Sequence, residues 1–395
     1  MKHGWQTKTL GEVLQKTETI NPLQSPEAEF DYIDVSSVSN ATFQIEETQR
    51  LKGKDAPSRA RRLVKTNDVI FATVRPTLQR IAVVPANLDN QVCSTGYFVL
   101  RPKPGLDHRF VFYSLFTDEF MGQMESLQKG ASYPAVTDGE VRSQLIPFPP
   151  LAEQRRIVGI LDEAFEGLVT AKANAEQNLQ NARALFESHL QAVFTQRGDG
   201  WKDQTLDQIC IVERGSSPRP IKDYFTTKED GVNWIKIGDT EQGGKYVYST
   251  AQKITSEGAK RSTFVKEGDF ILTNSMSFGR PYIMKISGYI HDGWFALRLN
   301  VSIDSDYLYY LLSSKVVQSQ FTRLASGSVV LNISGDLVKQ AVLPIAPLSQ
   351  QHKIVEALMA LSGETQRLES LYQRKLAALD ELKKSLLHRA FSGQL

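Results

Sequence analysis

Two stretches about 197 residues apart carry side chains suited to reading nucleic-acid bases. The first is Arg75-Pro76-Thr77-Leu78-Gln79-Arg80 and the second Asn274-Ser275-Met276-Ser277-Phe278-Gly279-Arg280-Pro281. Arginine, glutamine and asparagine present paired donors and acceptors that match base edges, whereas serine and threonine hydroxyls suit phosphate oxygens. Arg75, Thr77, Gln79 and Arg80 are therefore candidate contacts, as are Asn274, Ser275, Ser277 and Arg280. Each stretch follows an apolar run, Asp68 to Thr73 or Asp269 to Thr273, that reads as a strand, so both are polar loops at strand ends. A second matched pair adds Lys129, Ser132 and Tyr133 in one half and Ser326 and Ser328 in the other. Its glycines, 130 and 327, let backbone approach phosphate. Basic clusters at Arg59, Arg61, Arg62 and Lys65, and at Lys260, Arg261 and Lys266, suit phosphate contact. A solvated surface explains any one of these residues equally well. Recurrence at corresponding places favours a shared role.

Covalent chemistry finds little support. An amine methyltransferase needs an Asn/Asp-Pro-Pro-Tyr/Phe box, but Asn21-Pro22 is followed by Leu23 and Pro149-Pro150 follows Phe148. No Gly-x4-Gly-Lys-Ser/Thr phosphate loop occurs. Six histidines lack metal-ligand spacing. His291-Asp292, beside Gly293-Trp294, comes nearest to a dyad and reads as structural or adjacent to nucleic acid. Cys93 and Cys210 read as reduced, buried thiols. The net charge is +2, so any attraction for nucleic acid must come from local clusters.

What positions these loops is a duplication. Shifted by about 197 residues, Gly4-Trp5 lies over Gly200-Trp201, Gly96-Tyr97-Phe98 over Gly293-Trp294-Phe295, and Pro150-Leu151-Ala152-Glu153-Gln154 over Pro347-Leu348-Ser349-Gln350-Gln351. A repeat this long is a whole domain with an appendage, not a solenoid unit. Residues 1–150 and 198–346 read as two similar, mainly β domains, each with a short helix, Arg109 to Leu127 and Tyr307 to Leu324. Residues 151–197 and 347–395 read as long amphipathic helices. Ile157, Leu161, Phe165, Leu168, Leu179 and Phe186 form the seam of one, and Ile354, Leu358, Leu361, Leu368, Leu379 and Leu382 that of the other. Each helix is about 65 Å long at 1.5 Å per residue. Such stripes bury most simply by antiparallel pairing. The expected fold is α+β with internal pseudo-twofold symmetry: two domains separated by two antiparallel coiled-coil helices.

The Trp-x-x-x-x-Leu openings, the Pro-Leu-x-x-Gln-x-x-Ile helix starts and the terminal Phe391-Ser392-Gly393-Gln394-Leu395 together resemble the specificity subunits of Type I restriction-modification systems. Arg214-Gly215-Ser216-Ser217-Pro218-Arg219-Pro220 is similar to a Gly-x-Thr/Ser-Pro loop of that family and adds Arg214, Ser216, Ser217 and Arg219 as candidate DNA contacts. The first domain lacks its counterpart. The resemblance implies two target-recognition domains, each reading half of a bipartite, asymmetric target in double-stranded DNA. It also implies helices that fix the unread gap and two adenine-methylating methyltransferase subunits packed on the frame, joined by motor-nuclease subunits for cleavage. No cofactor is expected in this chain; S-adenosylmethionine, and ATP with Mg, belong to the partners. The chain itself would not be an enzyme, and with no leader-like or spanning segment it is expected in the cytoplasm. A rival reading is a coiled-coil scaffold whose β domains bind protein without reading DNA.

Overall fold

The computed structural model describes residues 4–241, 243–274, 279–324 and 334–395. Ser275, Ser277, Ser326 and Ser328 lie outside the described residues. Two compact units divide the chain, one made of Met1–Glu176 with Gln373–Leu395 and the other of Gln177–Tyr372. Each contains one mainly β domain and a piece of both long helices.

In the first unit, Val69–Ala72 pairs antiparallel with Ile81–Val83 on one side and Tyr97–Leu100 on the other. All four of its residues are buried, as expected of an apolar strand covered on both faces. A second sheet runs Gln49–Lys52, Glu29–Ile33, Val92–Ser94, Ala60–Leu63, with Tyr32–Ile33 parallel to Val92–Cys93. Gln6–Thr9 pairs separately with Leu145–Phe148 and ties the two ends of the domain together.

The second unit repeats this topology with a larger sheet. Phe270–Thr273 lies between Pro281–Met284 and Trp294–Leu299, and Cys210–Arg214 and Tyr246–Val247 extend the two edges. Its other sheet again contains one parallel pair, Trp234–Ile235 with Tyr289–Ile290. Lys202–Thr205 pairs with Val342–Ile345 as Gln6–Thr9 does with Leu145–Phe148. Cys93 and Cys210 are free and buried, and burial pushes both thiols up to about 12.

The expected single helix Arg109 to Leu127 is two, His108–Ser114 and Asp118–Leu127. Thr117 caps the second by accepting from the Phe120 amide, a signal visible in Thr117-Asp118-Glu119 that the apolar periodicity masks. The counterpart divides likewise into Ser305–Ser313 and Lys315–Leu324 at Ser314.

The long helices span Leu151–Gln196 and Leu348–Ser392. In the first unit Ile157, Val158 and Leu161 share one core with Leu387 and Ala390. Arg156 donates there to the Leu395 carbonyl at 2.8 Å, and Lys172 meets Asp380 at 3.1 Å. Partners that advance along one helix and retreat along the other mark antiparallel pairing. The second unit shows the same sense: Arg183 meets Glu369 at 3.0 Å, while the later Leu190 and Phe194 share a core with the earlier Val355 and Leu358. Ala175 and Ala182 are buried on the first helix, where small side chains let helix backbones approach. Among the seam residues, Leu382 is a correction: it is 48% exposed. The partly buried positions run Tyr372, Leu376, Leu379, Lys383 and Leu386, so alternating four- and three-residue steps put Lys383 on the seam and Leu382 outside it.

Candidate nucleic-acid interface

In the first domain two loops meet at the end of Val69–Ala72. The Val136 amide donates to the Thr73 carbonyl at 2.9 Å, the Arg75 amide to the Pro134 carbonyl at 2.7 Å, and Lys129 and Ala135 exchange backbone bonds at 2.9 Å. These bonds zip residues 73–75 to 129–136 and bring Arg75, Lys129, Ser132 and Tyr133 onto one surface. Arg75 and Gln79 bracket the short turn Pro76–Leu78 and both adopt left-handed backbone, with φ of 50° and 53°. For residues other than glycine that conformation carries strain, which persists only where the surroundings impose it.

The Arg75 guanidinium lies 5.0 Å from the Tyr133 ring centroid and donates to the Ser132 carbonyl at 3.2 Å. Tyr133 is 71% exposed. A planar cation held against an exposed ring is a pre-ordered donor fork facing solvent. Thr77 is exposed beside it and Gln79 is half-buried. Lys129 is solvent-facing and pairs with Glu140 at 3.3 Å.

Arg80 behaves differently. Its Nη1 donates to the carbonyls of Val35, Ser36 and Val38 at 3.2, 3.2 and 2.6 Å. That guanidinium fastens the 35–38 turn to the loop and is engaged inside the domain. The basic cluster is also partly committed: Arg62 pairs with Asp138 at 2.7 Å and Lys65 with Glu18 at 3.4 Å.

In the second domain the Arg214–Pro220 loop packs on residues 291–294. The Gly215 amide donates to the Trp294 carbonyl at 2.8 Å, and a Cβ at Gly215 would lie 2.0 Å from the His291 carbonyl oxygen, so only glycine fits. Ser217 donates to Asp292 at 2.7 Å and Arg219 pairs with it at 3.2 Å. The Ser217 hydroxyl is the main cause that holds the Asp292 carboxyl below its ordinary range. Asn274 is buried and donates from Nδ2 to the Asp292 carbonyl at 2.6 Å. Ser216 turns inward to the Arg261 carbonyl, whereas Arg214 and Arg219 are exposed. Arg280 is half-buried, its amide donating to the Thr273 hydroxyl at 3.0 Å.

His291-Asp292 is not arranged for proton relay. His291 Nδ1 accepts the Gly293 amide at 2.8 Å and lies 3.9 Å from Asp292. Its ring packs near Trp234 and Trp294, and burial lowers its pKa. Among the described residues no cluster of His, Cys, Asp and Glu could hold a metal ion.

One buried pair, quoted above only as part of a motif, has a structural role that spacing does not reveal. The glutamine of Pro-Leu-x-x-Gln is buried in both units: Gln154 accepts the Asp107 amide at 2.8 Å and donates to the Pro149 carbonyl at 2.8 Å. Gln351 does the same with Asp304 and Ala346, also at 2.8 Å. Each glutamine ties the first turn of a long helix to two backbone segments of its own domain. Its repetition was the available signal.

Comparison with known proteins agrees with this architecture. The family described as Type I restriction modification DNA specificity domain matches residues 2–180 and 198–375. The Type I restriction enzyme EcoBI specificity subunit of Escherichia coli is 22% identical over 79% of this chain and 70% of its own length. The MjaVIII specificity subunit of Methanocaldococcus jannaschii is 23% identical over 73% of this chain and 71% of its own. The crystal structure of the HsdS subunit from Thermoanaerobacter tengcongensis is similar at a TM-score of 0.70 and 28% identity, covering 100% of this chain and 98% of that one. A chain from a structure concerned with assembly and conformational transition of the type I R-M system reaches a TM-score of 0.88 at 28% identity, covering 100% of this chain and 99% of that one. Matched twice along its length, this chain belongs to the Type I restriction modification DNA specificity domain family.

Proposed function

We propose that this chain is the DNA sequence-specificity subunit of a Type I restriction-modification complex and does no covalent chemistry itself. Each domain reads one half of a bipartite, asymmetric target, and the paired helices fix the unread gap. The observation that carries this reading is the duplicated unit: one β topology twice, each copy anchored on segments of both helices, with different amino-acid sequences following the matched strands. A single chain thereby imitates a dimer while keeping two dissimilar readers. Two methyltransferase subunits bring S-adenosylmethionine, and motor-nuclease subunits bring ATP and Mg. The complex acts in the cytoplasm; no helix among the described residues is long and apolar enough to cross a membrane.

In the first domain the reading surface is the ridge of Arg75, Thr77, Lys129, Ser132 and Tyr133. In the second it includes Arg214, Arg219 and Arg280, with Ser217 and Asn274 shaping the loop. Arg75→Ala should lower discrimination against single base changes in one half-site by about 1–3 kcal/mol, as expected for loss of an arginine fork. Lys129→Ala should instead weaken binding to all sequences and flatten the salt dependence. Gel-shift titration across a salt series, with methyltransferase subunits present, measures both. A protein-binding scaffold would give neither sequence preference nor a steep salt slope.

A further inference from the structure

The seam position that leucine was expected to fill holds a lysine, and its surroundings are unusual. Lys383 lies on the second long helix within the first unit, with Nζ at 4.8 Å from the ring centroid of Phe43, 5.7 Å from Phe116 and 5.6 Å from Phe165. Among the described residues it makes no ion pair; the nearby Asp380 is taken by Lys172. Burial lowers its pKa, with Lys172 adding to the effect and Asp380 opposing it. An ammonium so placed is held by the negative faces of three rings.

The rings come from three elements. Phe165 belongs to the first long helix and Phe116 to the break between His108–Ser114 and Asp118–Leu127. Phe43 belongs to the domain's own turn, where it has a left-handed φ of 56° and meets Phe116 edge-on at 4.6 Å. That turn is closed by the Val38–Ile45 bridge, and Val38 offers its carbonyl to Arg80 at 2.6 Å. A continuous chain of contacts thus runs from Lys383 through Phe43 and the 35–45 turn to Arg80, at the other end of the loop that begins at Arg75.

The second unit solves the same problem with other parts. Under the shift of about 197 residues Lys383 falls on Phe186, which meets Tyr310 at 6.1 Å. There the caged cation is the domain's own Lys245, 5.1–5.2 Å from Tyr246, Tyr309 and Tyr310 and paired with Asp306 at 2.5 Å.

We infer that Lys383 is a positioning residue for the first domain's DNA reading: it fixes the 35–45 turn against the helices and, through Arg80, the placement of the Arg75 loop. This rests on the proposed reading role of that loop. The second domain has no equivalent dependence on a helix-borne cation among its described residues.

The test uses the full chain assembled with its methyltransferase subunits and duplexes altered by one base in either half-site. Lys383→Met, which keeps apolar bulk, should lower discrimination about tenfold in one half-site only. Amide exchange in residues 35–45 and 75–80 should rise with it, while residues 243–248 stay as in the wild type. Lys383→Arg should retain both properties. Phe43→Leu provides a second variant with the same expected pattern should Lys383→Met fold poorly. Unchanged discrimination, or equal loss in both half-sites, overturns the inference. Arg75→Ala separates the failures: if it lowers discrimination while Lys383→Met and Phe43→Leu do not, only the positioning role falls, and if none does, the reading surface itself is wrong.

Discussion

Arg101→Ala is expected to destabilise the first unit by about 3–5 kcal/mol, because it strands a buried carboxylate. Arg101 meets Asp68 through two bonds, Nε to Oδ1 at 2.9 Å and Nη2 to Oδ2 at 2.8 Å, and their side chains are 10% and 2% exposed. Among the described residues the Asp68 carboxylate keeps one other donor, the Lys65 amide at 2.8 Å. Replacing both partners together by apolar residues of similar size should cost far less, since the penalty lies in the unpaired charge rather than in the pair. The repeat supplies a control: Arg298 takes the matching place, bonded to Glu213 and 3.8 Å from Asp269, but is 31% exposed, so Arg298→Ala should cost less. Urea unfolding of the two variants, resolved by unit through amide exchange, gives the comparison. Equal losses would contradict it.

The same cluster sets an acid response. Arg101 is the first cause that holds Glu18 at about 2, down from an ordinary 4.5. A carboxylate whose folded pKa is depressed stabilises the fold above its unfolded pKa, and that contribution disappears as pH falls through the folded value. Stability should therefore decline between about pH 4.5 and about pH 2, and Arg101→Ala should remove that part of the slope.

Lengthening both long helices together should change the gap between half-sites without changing either half-site. The division between units falls after Glu176 in the first helix and after Tyr372 in the second. Seven residues added at both places preserve the seam and add about 10 Å at 1.5 Å per residue. That corresponds to about three base pairs of duplex at 3.4 Å each. Insertion in one helix alone shifts the Lys172–Asp380 and Arg183–Glu369 pairings out of register and should instead reduce binding to every target. A doubly extended chain that keeps its original gap would remove the helices from any role in spacing.

Much of this was legible because duplication is visible without geometry. Matching glycines, tryptophans and Pro-Leu-x-x-Gln starts align two halves whatever their fold, and long apolar periodicity without proline has few outcomes besides a helix. What escaped was decided by placement. Leu382 and Lys383 differ by one step around a helix, and apolarity pointed to the leucine while the three-ring cage holds the lysine. Arg75 and Arg80 share a loop and a residue type, yet one faces solvent against Tyr133 and the other is bound to three carbonyls. Side-chain direction at strand ends depends on backbone bonds to distant segments such as 129–136, which spacing along the chain does not encode.

The most direct measurement is base-resolution mapping of DNA methylated by the chain together with its methyltransferase subunits. The predicted pattern is two short, dissimilar sequences separated by an unread gap of constant length, with a modified adenine in each. A single uninterrupted motif, or methylation without sequence preference, would contradict the account.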